Sequence, residues 1–352
     1  MSRPYAHGLV LLKAYPLHAG HGALIRTAQR LCARVTVQVV ASSGESVPVE
    51  VRAGWVREEH PGAHVVTAVD DAPVDLASES AWQHHTALAR RMLDAPVDAV
   101  LTSDAYGEEL ARRLGARWVQ VDPGRRATPV SGTAVRADVA GHWWALGPAV
   151  RSWFVRRVVV LGAESTGTTT LAADLADALG TLWVPEFGRT WSARRPGGLA
   201  APWHTAEFDL VVAEQCRAED DAARRAPVPV LVCDTDPLAT TVWHERYVGG
   251  PSPTVRAAAA ARVPALYLHT GDEIPFVDDG LRDGEHLRHA MAARFREVLA
   301  AQPAPWLEVT GSRPERLATA LAAVRDLLDR GWGLAPPLTA PTVLPTELEP
   351  AP

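Results

Sequence analysis

Two histidines separated by two residues stand where the first predicted strand gives way to the first predicted helix. The segment His18-Ala19-Gly20-His21 follows an apolar run at residues 8–12. Parallel α/β sheets hold their ligands at this end of their strands. Gly20 lets the backbone approach a ligand closely, and a helix N-terminus offers unpaired N–H groups to a polyphosphate. Two imidazoles can donate to one phosphate, although loop histidines that cap a helix would show the same pattern in isolation.

A second motif, Ser131-Gly132-Thr133-Ala134-Val135-Arg136, lies later in the same half of the chain. Alone it predicts a turn followed by an N-capped helix. Together with Tyr15-Pro16-Leu17-His18-Ala19-Gly20-His21 it resembles the nucleotidyltransferase superfamily, in which these motifs hold ATP from opposite ends of its phosphate chain. The resemblance implies that His18 and His21 hold the α and β phosphates, and that Ser131 and Arg136 hold the β and γ phosphates. It also implies ATP contacts for Tyr15 and Thr133. An acceptor phosphate would attack the α-phosphorus in line, so the protein supplies alignment and charge rather than a nucleophile.

A glycine-rich loop, Gly162-Ala163-Glu164-Ser165-Thr166-Gly167-Thr168-Thr169-Thr170, follows an apolar strand and opens a helix. This context and the glycine spacing are typical of a Walker A phosphate loop. Thr168 stands where the motif has lysine, and Thr169 takes the hydroxyl position that ligates Mg²⁺. The main-chain cradle does not depend on side chains, so it survives this change, whereas the point charge on the phosphates is lost. We predict ATP binding by the loop residues Gly162, Glu164, Ser165, Thr166, Gly167, Thr168, Thr169 and Thr170.

Acidic and basic residues follow the loop in an order that suits phosphoryl transfer. Asp234-Thr235-Asp236 ends a buried strand, where a carboxylate beside Mg²⁺ is expected. The segment at residues 279–288 mixes glycines with arginines. This pattern is consistent with a lid over phosphates or with a solvated loop. Three arginines are candidates to replace the missing lysine charge: Arg189, Arg282 and Arg288.

The predicted elements place these motifs at strand-to-helix corners. Short β-branched runs alternate with segments of helical periodicity, which indicates βαβ units and parallel sheets. The predicted strands lie at residues 8–12, 35–40, 64–69, 97–101 and 118–121, then at 157–162, 229–233, 265–269 and 306–309. We predict an α/β protein with domains at residues 1–154 and 155–332, joined by a helical connector. Residues 333–352 are proline-rich and aperiodic, so they are expected to form a disordered tail.

Length and composition limit the class of protein. The chain has 352 residues, enough for two domains, and a formal net charge of −6, which argues against nucleic-acid binding. Its three cysteines show no paired spacing, so neither a zinc site nor a disulfide framework is expected. No apolar run is long enough for a signal peptide or a membrane span. We therefore expect a cytoplasmic protein with small-molecule partners and no membrane partner. The oligomeric state is open, and a homo-oligomer is one option.

All of these motifs occur on one chain in the order that is found in NadR-type proteins, and the chain resembles that family over about residues 7–330. The resemblance implies a Rossmann-like nicotinamide-nucleotide adenylyltransferase domain followed by a P-loop ribosylnicotinamide kinase domain, without an N-terminal helix-turn-helix domain. It implies NAD salvage from nicotinamide riboside through nicotinamide mononucleotide, with ATP and Mg²⁺ in both steps. For the kinase it suggests Glu186 as the base or orienting group of the ribose 5′-hydroxyl, a role that Asp236 could also take. It further suggests Asp234 and Thr169 at Mg²⁺, and Arg282 and Arg288 as phosphate clamps. Asp236 and Arg189 are the expected substrate-binding residues.

Two departures from the family pattern keep other functions open. Leu12-Lys13-Ala14 stands where family members usually have Gly-Lys-Phe, and Thr168 replaces the loop lysine. The first alternative is an adenylyltransferase whose second domain is a nucleotide sensor or a structural domain. The second is a regulator that binds metabolites without catalysis.

Overall fold

The computed structural model describes residues 3–198, 200–277 and 285–338. The chain divides into two compact units, one of Met1–Val150 with Trp332–Pro352 and one of Arg151–Gly331. Each unit is built on a five-stranded sheet in which every strand pair is parallel. The predicted α/β class with two parallel sheets is thereby confirmed. Within the described residues, no helix combines the length and apolar character that a membrane span needs.

The sheet of the first unit has the strand order β3-β2-β1-β4-β5. Its strands are β1 (Tyr5–Leu12), β2 (Cys32–Ala41), β3 (His64–Val69), β4 (Ala99–Thr102) and β5 (Arg117–Gln120). Its helices are α1 (Ala19–Leu31), α2 (Val49–Glu59), α3 (Glu79–Arg91), α4 (Tyr106–Leu114) and α5 (Gly132–Ala137), and α6 (Pro148–Phe154) spans the boundary with the second unit. The order reverses between β1 and β4, and such a reversal opens a crevice for ligands at the carboxyl ends of the strands.

The sheet of the second unit has the strand order β10-β9-β6-β8-β7. Its strands are β6 (Arg156–Leu161), β7 (Trp183–Val184), β8 (Val230–Asp234), β9 (Leu266–Thr270) and β10 (Trp306–Val309). Its helices are α7 (Thr168–Leu179), α8 (Phe187–Ser192), α9 (Thr205–Arg225), α10 (Pro237–Val248), α11 (Pro253–Ala261), α12 (Arg288–Ala301) and α13 (Arg313–Asp329). The central strand β6 leads directly into the glycine-rich loop.

Burial of one apolar stripe holds α7 on the sheet and thereby fixes the loop in front of it. Leu171 and Leu175 lie one turn apart and pack against Val158 and Val160 of β6. Each such leucine contributes roughly 1.5–3 kcal/mol when fully buried. The helix ends at Gly180, whose left-handed backbone (φ +62°) suits a C-terminal cap.

Sequence prediction and structure differ most at an edge strand and near the C-terminus. The edge strand β7 has only two residues and carries no periodic signal. Residues 333–338, which composition placed in a disordered tail, are described and belong to the first unit. Residues 339–352 lie outside the described residues.

Candidate functional site

The two histidines of the first unit lie together at the corner between β1 and α1. Their rings stack with centroids 3.8 Å apart and planes inclined by 24°. His18 is the N-cap of α1, and its Nδ1 accepts the Gly20 N–H at 3.2 Å. A neutral ring that accepts at Nδ1 carries its proton on Nε2. His18 therefore keeps one N–H donor for a ligand.

Burial and neighbouring charge keep both rings neutral near pH 7. Burial, together with the positive charges of Arg125 and Arg136, lowers the pKa of His18 to about 4. Burial also holds the pKa of His21 well below its usual value, with His18 and Arg125 contributing. Nδ1 of His21 is buried and has no hydrogen-bond partner in the described part of the chain. An anionic ligand at this corner would meet imidazole donors and helix N–H groups in a positive field.

The second motif of the first unit folds back onto the first. Arg136 donates from Nη1 to the Tyr15 carbonyl oxygen at 2.7 Å and from Nη2 to Thr133 Oγ1 at 3.1 Å. Its guanidinium also lies 5.1 Å from the centroid of the Tyr15 ring. Ser131 caps α5 by accepting the Ala134 N–H. The structure thus brings His18 and Arg136 to one corner, as their electrostatic coupling also shows.

A cavity of about 280 Å³ opens in the first unit at the carboxyl ends of β1 and β2. Leu12 and Lys13 line it on one side, and Trp82 of α3 and Tyr106 of α4 line it elsewhere. Most of the remaining lining is aliphatic, with carboxylates only at Asp70 and Asp75. An apolar cavity with few polar groups is typical of a small-molecule site. Sequence reasoning did not find it, because its walls come from six separate segments between residues 11 and 338.

The glycine-rich loop of the second unit has the backbone of a phosphate cradle. Gly167 (φ +83°) and Ser165 (φ +59°) adopt left-handed conformations that turn the loop into α7. At Gly162 a Cβ would collide with Thr270 Oγ1 and Thr166 Oγ1, so only glycine fits there. Thr166 is fully buried, and its hydroxyl donates to the Ala163 carbonyl oxygen at 2.7 Å. Thr166 therefore shapes the loop from within, and its side chain is sealed from a ligand.

Three arginines from distant segments hold the loop in place. Arg246 of α10 pairs with Glu164 at 2.9 Å. Arg288, which is 6% exposed, donates to the Ser165 carbonyl oxygen at 3.1 Å. Arg316 donates to the Thr166 carbonyl oxygen at 2.5 Å and to the Gly271 carbonyl oxygen at 3.0 Å. The predicted clamp Arg288 thus contacts the main chain of the loop, while Arg282 lies outside the described residues.

The carboxylate at the end of β8 faces the start of α7. Asp234 is 2% exposed and accepts hydrogen bonds from the hydroxyls of Thr169 and Thr168. Burial raises its pKa, while the two hydroxyls and the charge of Arg189 oppose that rise. Thr168, which replaces the expected lysine, therefore directs its hydroxyl to this carboxylate.

A cavity of about 160 Å³ lies between the loop, the end of β8 and helices α8 to α10. The predicted residues that line it are Gly162, Glu164, Ser165, Gly167, Thr168, Thr169, Thr170, Glu186, Arg189 and Asp234. Trp203, Trp243 and Tyr247 supply aromatic walls that sequence reasoning did not assign. Aromatic faces of this kind attract cationic rings.

The structure gives Asp236 a place outside the cavity lining. Asp236 caps α10 by accepting the Ala239 N–H at 3.0 Å, and its other oxygen accepts the Tyr267 hydroxyl at 2.7 Å. Burial raises its pKa to about 6. Both carboxylate oxygens are thus used to hold α10 against β9.

This chain is similar to one family model and to two NadR proteins. A family model described as "AAA domain" matches residues 157–316. The trifunctional NAD biosynthesis/regulator protein NadR of Escherichia coli (strain K12) is 26% identical over 295 residues, which are 78% of this chain and 71% of that protein. NadR of Salmonella typhimurium (strain LT2) is 26% identical over 296 residues, with the same coverage.

Two solved structures share the fold across both units. A NadR protein in complex with NR has a TM-score of 0.73 at 21% identity and covers 92% of this chain and 96% of its own. A NadR protein in complex with NAD and AMP-PNP has a TM-score of 0.68 at 19% identity with the same coverage. This chain is thus similar to NadR proteins in sequence, and it shares its fold with the two solved NadR structures.

Proposed function

We propose that the protein is a two-step enzyme of NAD biosynthesis. The second unit phosphorylates the 5′-hydroxyl of nicotinamide riboside, and the first unit joins the resulting mononucleotide to the adenylyl group of ATP. One observation carries this proposal: each unit has a strand-to-helix corner with hydrogen-bond donors that suit phosphates, and each unit has a cavity at the carboxyl ends of its strands. The relatives' names and ligands agree with such a role.

In the kinase step the riboside hydroxyl attacks the γ-phosphorus of ATP, its proton leaves to a base, and ADP departs. Glu186 precedes α8, lines the cavity together with Asp234, and is the proposed base or orienting group. The main-chain cradle from Gly162 to Gly167 holds the phosphates through N–H groups and the N-terminus of α7. Trp203 and Trp243 line this cavity, and aromatic rings there would attract the positively charged nicotinamide.

The donors near the loop fit Mg²⁺. Asp234 and Thr169 offer only oxygen atoms, which this cation prefers, and the carboxylate is buried beside the loop where the phosphates would lie. When bound with ATP, Mg²⁺ neutralises phosphate charge. Asp234 and Thr169 are therefore the proposed residues that hold it.

In the transfer step a phosphate oxygen of the mononucleotide attacks the α-phosphorus of ATP, and pyrophosphate leaves. His18 and His21 donate hydrogen bonds to phosphate oxygens, and Arg136 compensates the charge on the departing pyrophosphate. The protein provides no nucleophile, so its contribution is alignment and charge neutralisation. The apolar cavity beside Lys13 takes the nicotinamide mononucleotide.

A second candidate function rests on Thr168. Threonine has no ammonium group to place on the phosphates, and its hydroxyl donates to Asp234. The second unit would then bind nucleotide without transferring a phosphoryl group, and only the adenylyltransferase would be active.

Purified protein distinguishes these functions. Incubation with Mg-ATP and nicotinamide riboside should yield ADP, and incubation with Mg-ATP and nicotinamide mononucleotide should yield NAD and pyrophosphate. His21→Ala should abolish pyrophosphate release alone, and Asp234→Asn should abolish riboside-dependent ADP release alone. Pyrophosphate without ADP would support the second candidate, and the absence of both products would refute the two-step proposal.

A further inference from the structure

The described residues near the C-terminus make a set of hydrogen bonds to the first unit. Tyr15 Oη donates to the Ala335 carbonyl oxygen at 2.8 Å, and the Ala335 N–H donates to Ser46 Oγ at 2.7 Å. Lys13 Nζ donates to the Leu338 carbonyl oxygen at 3.0 Å. We call residues 335–338 the C-terminal strap. Its contacts are more than 280 residues away in sequence, so they are tertiary contacts and not local turn structure.

The strap binds to residues that are themselves held in one network. Tyr15 Oη accepts the Ser46 N–H at 3.1 Å, so its hydroxyl joins Ser46 to Ala335. Lys13 Nζ also pairs with Glu45 at 3.0 Å, and Glu45 forms a fully buried ion pair with Arg52 at 2.5 Å. The strap is thus bonded to Tyr15, Ser46 and Lys13, and Lys13 connects it to the buried ion pair. These bonds restrict its movement away from the first unit.

The same strap reaches the cavity of the first unit. The Leu338 side chain lines that cavity, which Leu12, Trp82 and Tyr106 bound from other sides. Lys13 lies in the same lining and in the strap's hydrogen-bond network. The strap therefore adds both an apolar side chain and a restraint on Lys13 to the cavity wall.

We propose that the C-terminal strap completes the acceptor pocket of the first unit, with Leu338 packing on the nicotinamide ring of the mononucleotide and the strap carbonyl positioning Lys13. This inference rests on the proposed adenylyltransferase function for the identity of the ligand. An aliphatic side chain matches the ring and not the phosphate, because a phosphate needs hydrogen-bond donors such as the imidazoles at the corner between β1 and α1. Leu338 is thus a binding residue, and Ala335 positions the strap.

The first test uses full-length Leu338→Ala with Leu210→Ala as a matched control. Leu210 lies on α9 of the second unit and is 38% exposed, the same fraction as Leu338. Losing most of an apolar side chain at a binding wall typically weakens binding about 10-fold. We expect Leu338→Ala to raise KM for nicotinamide mononucleotide about 10-fold with kcat nearly unchanged, and Leu210→Ala to alter neither. Equal KM values in the two variants would overturn the assignment of Leu338.

The second test needs no catalytic activity. Lys13 is the single lysine of the chain, so labelling with an amine-reactive reagent, followed by peptide mass spectrometry, reports on one side chain. Ala335→Pro removes the N–H that Ser46 accepts, and Ser46→Ala removes the acceptor of the same bond. Both should accelerate Lys13 labelling several-fold while the melting temperature of the protein stays the same.

Nicotinamide mononucleotide should protect Lys13 in the wild-type protein and less in Leu338→Ala. Unchanged labelling in both strap variants would refute the strap. If wild-type protein releases no pyrophosphate but the variants label faster, the proposed function fails while the strap stands. If nicotinamide mononucleotide does not protect Lys13 from labelling, and if its KM is unchanged in Leu338→Ala, the strap is not part of an acceptor pocket.

Discussion

Restoring a lysine at residue 168 tests how the phosphate loop of the second unit works. Thr168 is the first residue of α7, and its hydroxyl donates to Asp234. In Thr168→Lys an ammonium would reach the phosphates that the loop holds. At about 4 Å from a phosphate oxygen, the attraction is roughly 4 kcal/mol at an effective dielectric constant of 20. Donors aimed at developing charge typically contribute about 2.7–4 kcal/mol to the transition state.

The substitution also has a cost. Asp234 loses one of two hydroxyl donors, and a hydrogen bond to a charged group contributes about 1.5–3 kcal/mol. The expected net gain is about 1–2 kcal/mol, or roughly 5- to 30-fold in kcat for riboside phosphorylation. The affinity for ATP should change less, because the main-chain N–H groups of the loop are retained.

The assay is the initial rate of riboside-dependent ADP release with saturating Mg-ATP, with Thr168→Met as the control of similar length without charge. Equal rates for the lysine and methionine variants would refute the argument. A fast wild-type enzyme that the lysine slows would show that another cation has the role. Arg316 is held by three carbonyl oxygens and by the carboxylate of Glu273, and Arg288 is buried and donates to the Ser165 carbonyl oxygen. Arg189, which lines the cavity beside Asp234, is then the residue to replace.

Three further outcomes follow from the two corners. The folded-state pKa of His18, about 4, lies below its unfolded value of 6.5, so this residue's stabilisation of about 3 kcal/mol is fully present above pH 6.5 and lost as the pH falls toward 4. Urea denaturation from pH 8 to 4 should show this slope, and His18→Asn should reduce it. His21→Ala should lower the rate of NAD formation about 10²- to 10³-fold with an unchanged melting temperature, and a loss of folding instead would contradict a ligand-binding role. Gly162→Ala should destabilise the second unit by about 1–3 kcal/mol, because its Cβ meets Thr166 and Thr270, which thermal unfolding would measure.

Local patterns predicted most strands and the two strand-to-helix corners at which the histidines and the glycine-rich loop lie. The apolar run at residues 306–309 coincides with β10, and the run at 64–69 coincides with β3. Periodicity and β-branched residues carry such information within a few positions of the chain. The edge strand β7 was missed, because two residues cannot show a period.

Contacts between residues that are far apart in the sequence could not be predicted from local patterns. Arg316 holds the Thr166 carbonyl from 150 residues away, and the Glu164–Arg246 pair spans 82 residues. Neither arginine differs by type or spacing from the many other arginines of this chain. Composition likewise predicted disorder for residues 333–338. That prediction was wrong because the hydrogen bonds that hold Ala335 come from Tyr15 and Ser46, which are distant in the sequence. A segment without its own core is ordered when distant polar groups satisfy its backbone.

The two corners divide the work differently between side chain and main chain, and this difference explains which substitutions each tolerates. At the first corner the donors are imidazoles, so the loss of His21 removes the group itself. At the second corner the proposed phosphate donors are the N–H groups of the loop, which do not depend on the residue at 168, and three arginines contact the loop. We therefore expect Thr168 in place of lysine to leave nucleotide binding largely intact and to affect mainly phosphoryl transfer. Binding of an ATP analogue to the second unit, compared with its turnover, consequently decides between a slow kinase and a nucleotide sensor, since both require the same cradle and only one requires a cation at the γ-phosphate.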